Sequence, residues 1–308
     1  MPHLVVSVPD EQLAAGLGAL PDDVELIRWS MDAPADRDAI DIVVAPYLGS
    51  SAAERFARLN GVRTRLVQGQ SIGYEHVVST LPAGHAFANA AGVHETSTGE
   101  LAVALTLAAQ RRLPDFVRAQ DEGRWAPVFA ASLADRRVLL LGYGGVGKAT
   151  AARLAPFEVE LTVLAHRARV EDGVHVHGAD ELHALLPDAE IVISTLPGGD
   201  ATRNVIDDAA LSLLPDGALV TNVGRGTTID TDALTDHVRR GRIRAALDVT
   251  DPEPLPAGHP LWSLPGVLIA PHVGGASTAM LPRVAKLVRT QIDRMRAGEA
   301  PLNVVIPG

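Results

Sequence analysis

Residues 137–154 read RVLLLGYGGVGKATAARL, and no other stretch limits what this chain can fold into so tightly. An apolar run, three glycines at GxGxxG spacing (Gly142, Gly144, Gly147) and a helix-like continuation predict a strand, a tight turn and a helix. In that arrangement Gly142 makes the turn, Gly144 lets a pyrophosphate approach the backbone, and Gly147 lets helix and strand touch. The same letters also parse as GxxxxGK, most of a nucleoside-triphosphate P-loop. A P-loop needs Ser or Thr directly after its lysine to ligate magnesium, and here Lys148 is followed by Ala149. The dinucleotide reading therefore stands if the rest of the chain supplies its sheet.

It does. LTVLA from Leu161, IVIST from Ile191, ALVTNV from Ala218, AALDV from Ala245 and VLIAP from Val267 alternate with helical patterns. With RVLLLG they make six strands, the complement of a doubly wound dinucleotide-binding sheet. Three earlier runs, LVVSV from Leu4, DIVVA from Asp41 and TRLVQG from Thr64, suffice for a smaller sheet. The boundary is expected in STGELAVALTLAAQRRLP, where Ser97 and Glu100 have capping-box spacing and a long helix continues to Pro114. From Ala276 onward, Leu281, Val284, Leu287, Val288, Ile292 and Met295 recur at helical spacing, predicting a long half-buried helix that returns to the first domain. The expected domains are residues 1–94 with 276–308, and residues 95–275.

Composition narrows the function. The 308 residues, 47% apolar and 21% charged, can fill two such cores. A balance of 27 basic against 37 acidic residues, net −10, lacks the surplus that nucleic acid or anionic membranes attract. The absence of cysteine removes disulfides, thiolate nucleophiles and cysteine-ligated zinc, so redox chemistry would need a borrowed cofactor, and no metal site is expected. The start, MPHLVVSVPDEQ, meets acidic residues after a short apolar run, and no stretch reaches membrane-spanning length; a cytoplasmic location is expected.

Three further stretches lie where later strands end: NVGRG (222–226), ALDVTDPEP (246–254) and APHVGG (270–275). Together with the glycine motif they resemble the D-isomer-specific 2-hydroxyacid dehydrogenases, a family that includes glyoxylate/hydroxypyruvate reductases and phosphoglycerate dehydrogenases. The resemblance runs from about Gln70 to the C-terminal helix and is strongest from Val138 to Gly275. It implies an α/β fold with a Rossmann domain and a smaller flavodoxin-like substrate domain, NAD or NADP as cofactor, and hydride transfer between a 2-keto and a 2-hydroxy acid. The family's catalytic arginine, glutamate and histidine fall on Arg225, Glu253 and His272. The chemistry of these residue types agrees. A guanidinium can hold a 2-keto acid's carboxylate bidentately while polarising its carbonyl. Hydride delivery leaves charge on oxygen, which a histidine can protonate near neutral pH. A carboxylate on the other ring nitrogen fixes the tautomer and favours the imidazolium. Asp251, two residues away, is the competing acid; the position before proline favours Glu253.

Further roles rest on the resemblance alone. Val146, Thr195, Pro197 and Gly274 fall at positions lining the cofactor, and Val223 and Asp248 near the nicotinamide, where a carboxylate can accept from the carboxamide. QSIGYEH (70–76) resembles the substrate loop, whose backbone N–H groups around Ser71, Ile72 and Gly73 would meet the substrate carboxylate. An alternative of the same fold is a dinucleotide-sensing corepressor, but no basic arm or docking tail is present.

Cofactor and substrate choice can also be read. NAD-dependent members end their second strand with an acid that accepts from the adenosine ribose and repels a 2′-phosphate. Here LTVL is followed by Ala165, His166, Arg167, Ala168 and Arg169, so NADP is favoured; Glu160 is at the wrong end of the strand, and Glu171 and Asp172 fall several residues beyond it. The loop after DIVVA reads PYLGS, with Tyr47 and Leu48 where a phosphorylated substrate would want a cation, so a small uncharged substituent is expected. Trp125 and Phe129 in the arm-like GRWAPVFAASL suggest a surface buried in a homodimer.

Overall fold

The computed structural model describes residues 3–47 and 51–308. The chain divides into two compact units, Met1–His94 with Ser277–Gly308, and Glu95–Ala276.

The first unit begins with five short strands, β1 (Leu4–Val8), β2 (Val24–Arg28), β3 (Ile42–Val44), β4 (Leu66–Gln68) and β5 (Phe87–Ala88). They are parallel in the order β2-β1-β3-β4-β5, the flavodoxin-like arrangement. The strands read as continuous apolar runs because both faces are covered. Leu4, Val6, Ile42, Val44 and Leu66 pack with Leu13 and Leu17 of the helix Glu11–Leu17 and with Val284, Val288 and Ile292 of the helix Met280–Arg296. Val43 and Val67, the intervening residues, face Phe56, Leu59 and Phe87 on the other side, as the two-residue period of a strand requires.

The second unit holds β6 (Arg137–Leu141), β7 (Glu160–Leu164), β8 (Arg169–Glu171), β9 (Val174–His177), β10 (Ile191–Ser194), β11 (Ala218–Asn222), β12 (Ile243–Leu247) and β13 (Val267–Ile269). A last strand, β14 (Val304–Ile306), belongs to the first unit and pairs antiparallel with β5. The second sheet runs β13-β12-β11-β10-β6-β7-β9-β8 and is parallel except for β8. The order reverses beside β6, between β7 and β10, and doubly wound sheets bind ligands at such a switch point. Leu139, Leu141, Val192 and Val220 fill one face; Val138, Leu140, Ile193 and Leu219 fill the other, beneath the helix Glu95–Gln110.

Two details depart from the sequence reading. The sheet has eight strands rather than six, because Asp172 (φ 51°) and Gly173 (φ 80°) form an Asp-Gly hairpin that turns RVE back against VHVH. The helix expected to begin at Ser97 begins at Glu95, placing Ser97 and Glu100 inside it rather than at a cap. It ends at Gln110; Arg112 is left-handed at φ 56°, and Pro114 sits in the first turn of the next helix, Leu113–Asp121, where its missing N–H costs nothing. Among the described residues no helix is long and apolar enough to cross a membrane.

Candidate active site

The turn after β6 is built by its glycines, each for a different reason. Gly142 has φ 95°, and a Cβ on Gly147 would lie 2.0 Å from the Gly142 carbonyl oxygen, so neither position accepts a side chain. Gly144 has an ordinary φ of −83°, and a Cβ there would meet nothing within 4 Å. Neither backbone conformation nor protein contact calls for glycine at 144; a ligand pressing on the outside of the turn does. Gly144 also precedes the helix Gly145–Leu154 without any side-chain cap, leaving first-turn N–H groups open to an anion. These residues fit a dinucleotide phosphate. Val146 is half-buried in the same turn. The Thr195 hydroxyl points at the Leu141 and Gly142 carbonyl oxygens, at 3.0 and 3.2 Å, and so braces the turn from β10. Pro197 is exposed beyond it, its carbonyl accepting from Thr202 at 2.7 Å.

At the end of β7, Ala165 is buried, while His166, Arg167 and Ala168 are exposed. Arg169 is not on an open loop. It starts β8 and pairs with Glu171 at 2.7 Å, and the same carboxylate takes Lys148 at 2.5 Å. Glu171, dismissed by its distance along the chain, is thus returned to the glycine turn by the hairpin. Neither Lys148 nor Glu171 is recognisable as a partner from spacing alone; the Asp-Gly pair was the available signal.

The loops after β10, β11 and β12 approach backbone to backbone. A Cβ on Gly224 would lie 2.3 Å from the Leu196 oxygen, and one on Gly226 would lie 1.9 Å from the Thr250 oxygen. Asn222 ties the NVGRG turn by donating to the Arg225 carbonyl at 2.9 Å and accepting from the Gly224 N–H at 3.0 Å. Arg225 is half-buried, with Nη1 donating to the Gly224 carbonyl at 2.9 Å. Val223 is buried among the β-strand side chains.

His272 lies beyond β13 in the left-handed region, at φ 53°. Its Nδ1 is 2.5 Å from Glu253 Oε1. Glu253 raises the imidazole above the usual histidine range by this hydrogen bond; burial opposes the rise, the charges of Glu253 and Asp248 add to it, and Arg225 acts against it. The competing acid goes elsewhere: Asp251 lies 3.7 Å from Arg203, a residue the sequence did not single out. Asp248, fully buried, accepts from the Val273 N–H at 2.7 Å and the Gly274 N–H at 2.9 Å, while its carbonyl accepts from the His272 N–H at 2.7 Å. Burial pushes its carboxyl above the usual range, against the pull of those two bonds. Gly274 is needed because a Cβ would come within 2.9 Å of Asp248 Oδ2.

In the first unit, the loop after β4 has its carbonyls taken up internally. His94 Nε2 meets the Gln70 oxygen at 2.5 Å, the Ala90 N–H donates to Ser71, Asn89 donates to Ile72 at 2.9 Å, and the Ser71 hydroxyl donates to Gly73 at 2.9 Å. Among the described residues, no acceptor faces the N–H groups of Ser71, Ile72 and Gly73. Tyr47 stacks on His94, ring centroids 5.8 Å apart; Leu48 lies outside the described residues.

The fold and these strand-end loops define a two-unit α/β dehydrogenase that borrows a nicotinamide dinucleotide. Residues 103–274 match the family model for the NAD binding domain of D-isomer specific 2-hydroxyacid dehydrogenases. The chain belongs to that family, whose members are NAD(P)-dependent oxidoreductases acting on 2-hydroxy acids. A glyoxylate reductase of Aeropyrum pernix is 32% identical over 257 residues, 79% of this chain and 76% of that protein. The human glyoxylate reductase/hydroxypyruvate reductase is 29% identical, with 83% of each chain covered. Among solved structures, a D-isomer specific 2-hydroxyacid dehydrogenase of Xanthobacter autotrophicus Py2, in complex with NADPH and MES, has TM-score 0.80 and 30% identity, covering 99% of this chain and 98% of that one. An NADPH-dependent glyoxylate/hydroxypyruvate reductase of Sinorhizobium meliloti, in complex with NADP and sulfate, has TM-score 0.81 and 25% identity, covering 98% and 97%.

Proposed function

We propose that this chain is an NADPH-linked reductase of a small, uncharged 2-keto acid, glyoxylate or hydroxypyruvate or one with an apolar side chain, with Arg225, Glu253 and His272 as its catalytic set. The observation that carries the reading is the 2.5 Å contact between His272 Nδ1 and Glu253, which leaves Nε2 as the proton-bearing atom for a substrate. The dinucleotide, when bound, supplies the hydride. Arg225 holds the keto acid through its carboxylate and polarises the carbonyl. His272 gives its Nε2 proton to the carbonyl oxygen as charge develops there, and Glu253 stabilises the imidazolium beforehand. Residues 1–94 with 277–308 are the substrate domain in this reading, and 95–276 the cofactor domain.

NADP is favoured because β7 is followed by Ala165, with no acid to repel a 2′-phosphate, and Arg167 stands exposed just beyond it. The relatives solved with NADPH or NADP agree with this choice. The test is a spectrophotometric screen of 2-keto acids with both cofactors, on wild type and Arg167→Ala. Higher kcat/KM for glyoxylate or hydroxypyruvate with NADPH is expected, with Arg167→Ala losing about tenfold for NADPH and little for NADH. A wild-type preference for NADH, or an equal loss with both, removes the NADP assignment. Efficient oxidation of 3-phosphoglycerate removes the substrate assignment, for Tyr47 offers such a phosphate no charge.

A homodimer is the proposed assembly. Trp125 is 97% exposed and Phe129 109%, so neither finds cover within the chain, and side chains of this size call for a partner surface. Light scattering at micromolar concentration should return twice the chain mass, and Trp125→Ser with Phe129→Ser should shift it toward the single chain. A wild-type monomer would remove the dimer.

A further inference from the structure

The lip of the glycine turn carries a charge cluster that the proposed reaction does not use. Lys148, directly after Gly147, reaches Glu171 on β8 with Nζ 2.5 Å from Oε1. The other oxygen of that carboxylate takes Arg169 through Nε at 2.8 Å and Nη2 at 2.7 Å. Both cations also touch Tyr143, the residue between Gly142 and Gly144. The Lys148 ammonium lies 5.7 Å from its ring centroid, and Arg169 Nη2 is 3.4 Å from its carbonyl oxygen. One carboxylate on the hairpin therefore fastens two cations to the rim of the turn. Arg167 is engaged differently: its carbonyl accepts from Arg169 at 3.3 Å, and among the described residues no carboxylate pairs with its guanidinium. The mutual hydrogen bond holds Lys148 above and Glu171 below their ordinary ranges, so both are charged at neutral pH.

We propose that Glu171 sets how strongly this chain prefers the phosphorylated over the unphosphorylated dinucleotide, acting as an internal counter-anion that a 2′-phosphate must displace from Lys148 and Arg169. The proposal rests on the reading of the glycine turn and Arg167 as the adenosine end of the cofactor site. An acid at the end of β7 would accept from the ribose hydroxyls and exclude the phosphate outright. Glu171 is six residues farther along and bonded to cations, so it competes with the phosphate for the same donors. A 2′-phosphate carrying roughly one and a half to two negative charges can make charge-assisted bonds with Arg167 first. It gains Lys148 and Arg169 only as Glu171 yields them. An unphosphorylated dinucleotide brings only its pyrophosphate, which the open N–H groups of the turn take, and no 2′-phosphate to compete with Glu171. Lys148, left over when the P-loop reading fails, thereby becomes a hydrogen-bond donor to a phosphate of another kind.

The test measures dissociation constants of NADPH, NADH, 2′,5′-ADP and 5′-AMP by nucleotide fluorescence or calorimetry, on wild type, Glu171→Gln and Lys148→Ala. Glu171→Gln is expected to tighten NADPH and 2′,5′-ADP by about tenfold, as two uncommitted charged donors allow, and to leave NADH and 5′-AMP nearly unchanged. Lys148→Ala should weaken NADPH and 2′,5′-ADP several-fold with the same indifference to NADH, and raised salt should shrink both effects. The two fragments read the rim without turnover. An unchanged NADPH-to-NADH ratio in Glu171→Gln, or an equal change in all four ligands, overturns the proposal. A wild type that prefers NADH while Glu171→Gln shifts toward NADPH overturns the NADP assignment and upholds Glu171 as the determinant.

Discussion

His272→Ala is expected to cut kcat for 2-keto acid reduction by about 10²–10⁴-fold while the dissociation constant of NADPH stays near its wild-type value. The variant removes the proposed proton donor and leaves untouched Gly142, Gly144 and Gly147, which shape the turn after β6, four strands along the sheet from β13. The pH dependence separates the acid's role from a packing role. Reduction needs the imidazolium, so its rate holds below the raised His272 pKa and falls as pH climbs through it; oxidation needs the neutral ring and rises over the same interval. Glu253 is the first cause of that rise, so Glu253→Gln should move both limbs to lower pH. Asp251→Asn should leave them in place, since Asp251 lies against Arg203 instead. Near-normal turnover in His272→Ala would sink the assignment, and an equal shift in Asp251→Asn would exchange the roles of the two acids.

The parts of this site that were legible from the sequence are those whose physics is local. A glycine turn between a strand and a helix announces itself by spacing, and six of the eight strands of the second sheet stood out as apolar runs between helical patterns. β8 and β9 did not: they are three and four residues long, and VHVH alternates histidine with valine, so neither shows an apolar run. Missing that hairpin hid Glu171, whose partner Lys148 is 23 residues earlier in the chain. Ser97 misled for the opposite reason, because a capping-box pattern is only a spacing, and the helix Glu95–Gln110 had already begun. Glu253 and Asp251 could be ranked but not separated by sequence, since two acids on one short loop differ only in which way the backbone turns them.

Asp248 shows how a buried group can be seen in the sequence and its physical setting missed. The resemblance offers it to the nicotinamide carboxamide, yet its two oxygens already receive the N–H groups of Val273 and Gly274, and its carbonyl receives that of His272. Three successive residues of PHVGG thus hang on one residue of the preceding strand-end loop. His272 needs this support, because a non-glycine residue held at positive φ costs on the order of 1–3 kcal/mol and persists only when its surroundings fix it. We expect Asp248 to be a positioning residue for the acid. Asp248→Ala leaves two N–H groups without their acceptor, at about 1–3 kcal/mol each, which is enough to release the loop from the left-handed state. A kcat loss on the order of a hundredfold is the expected result, from misplacement of the proton donor by an ångström or so. Asp248→Asn keeps one acceptor oxygen but turns an amide N–H toward a backbone N–H, so it should fall between wild type and alanine. It also removes one of the charges that raise His272, moving the alkaline limb of reduction to lower pH. If Asp248 serves only the carboxamide, the substitutions should raise the cofactor dissociation constant and leave that limb where it is. Nicotinamide binding by fluorescence and the pH profile of kcat, measured on the same two variants, distinguish the roles, and an unmoved limb with intact loop crystallographic geometry would rule out positioning.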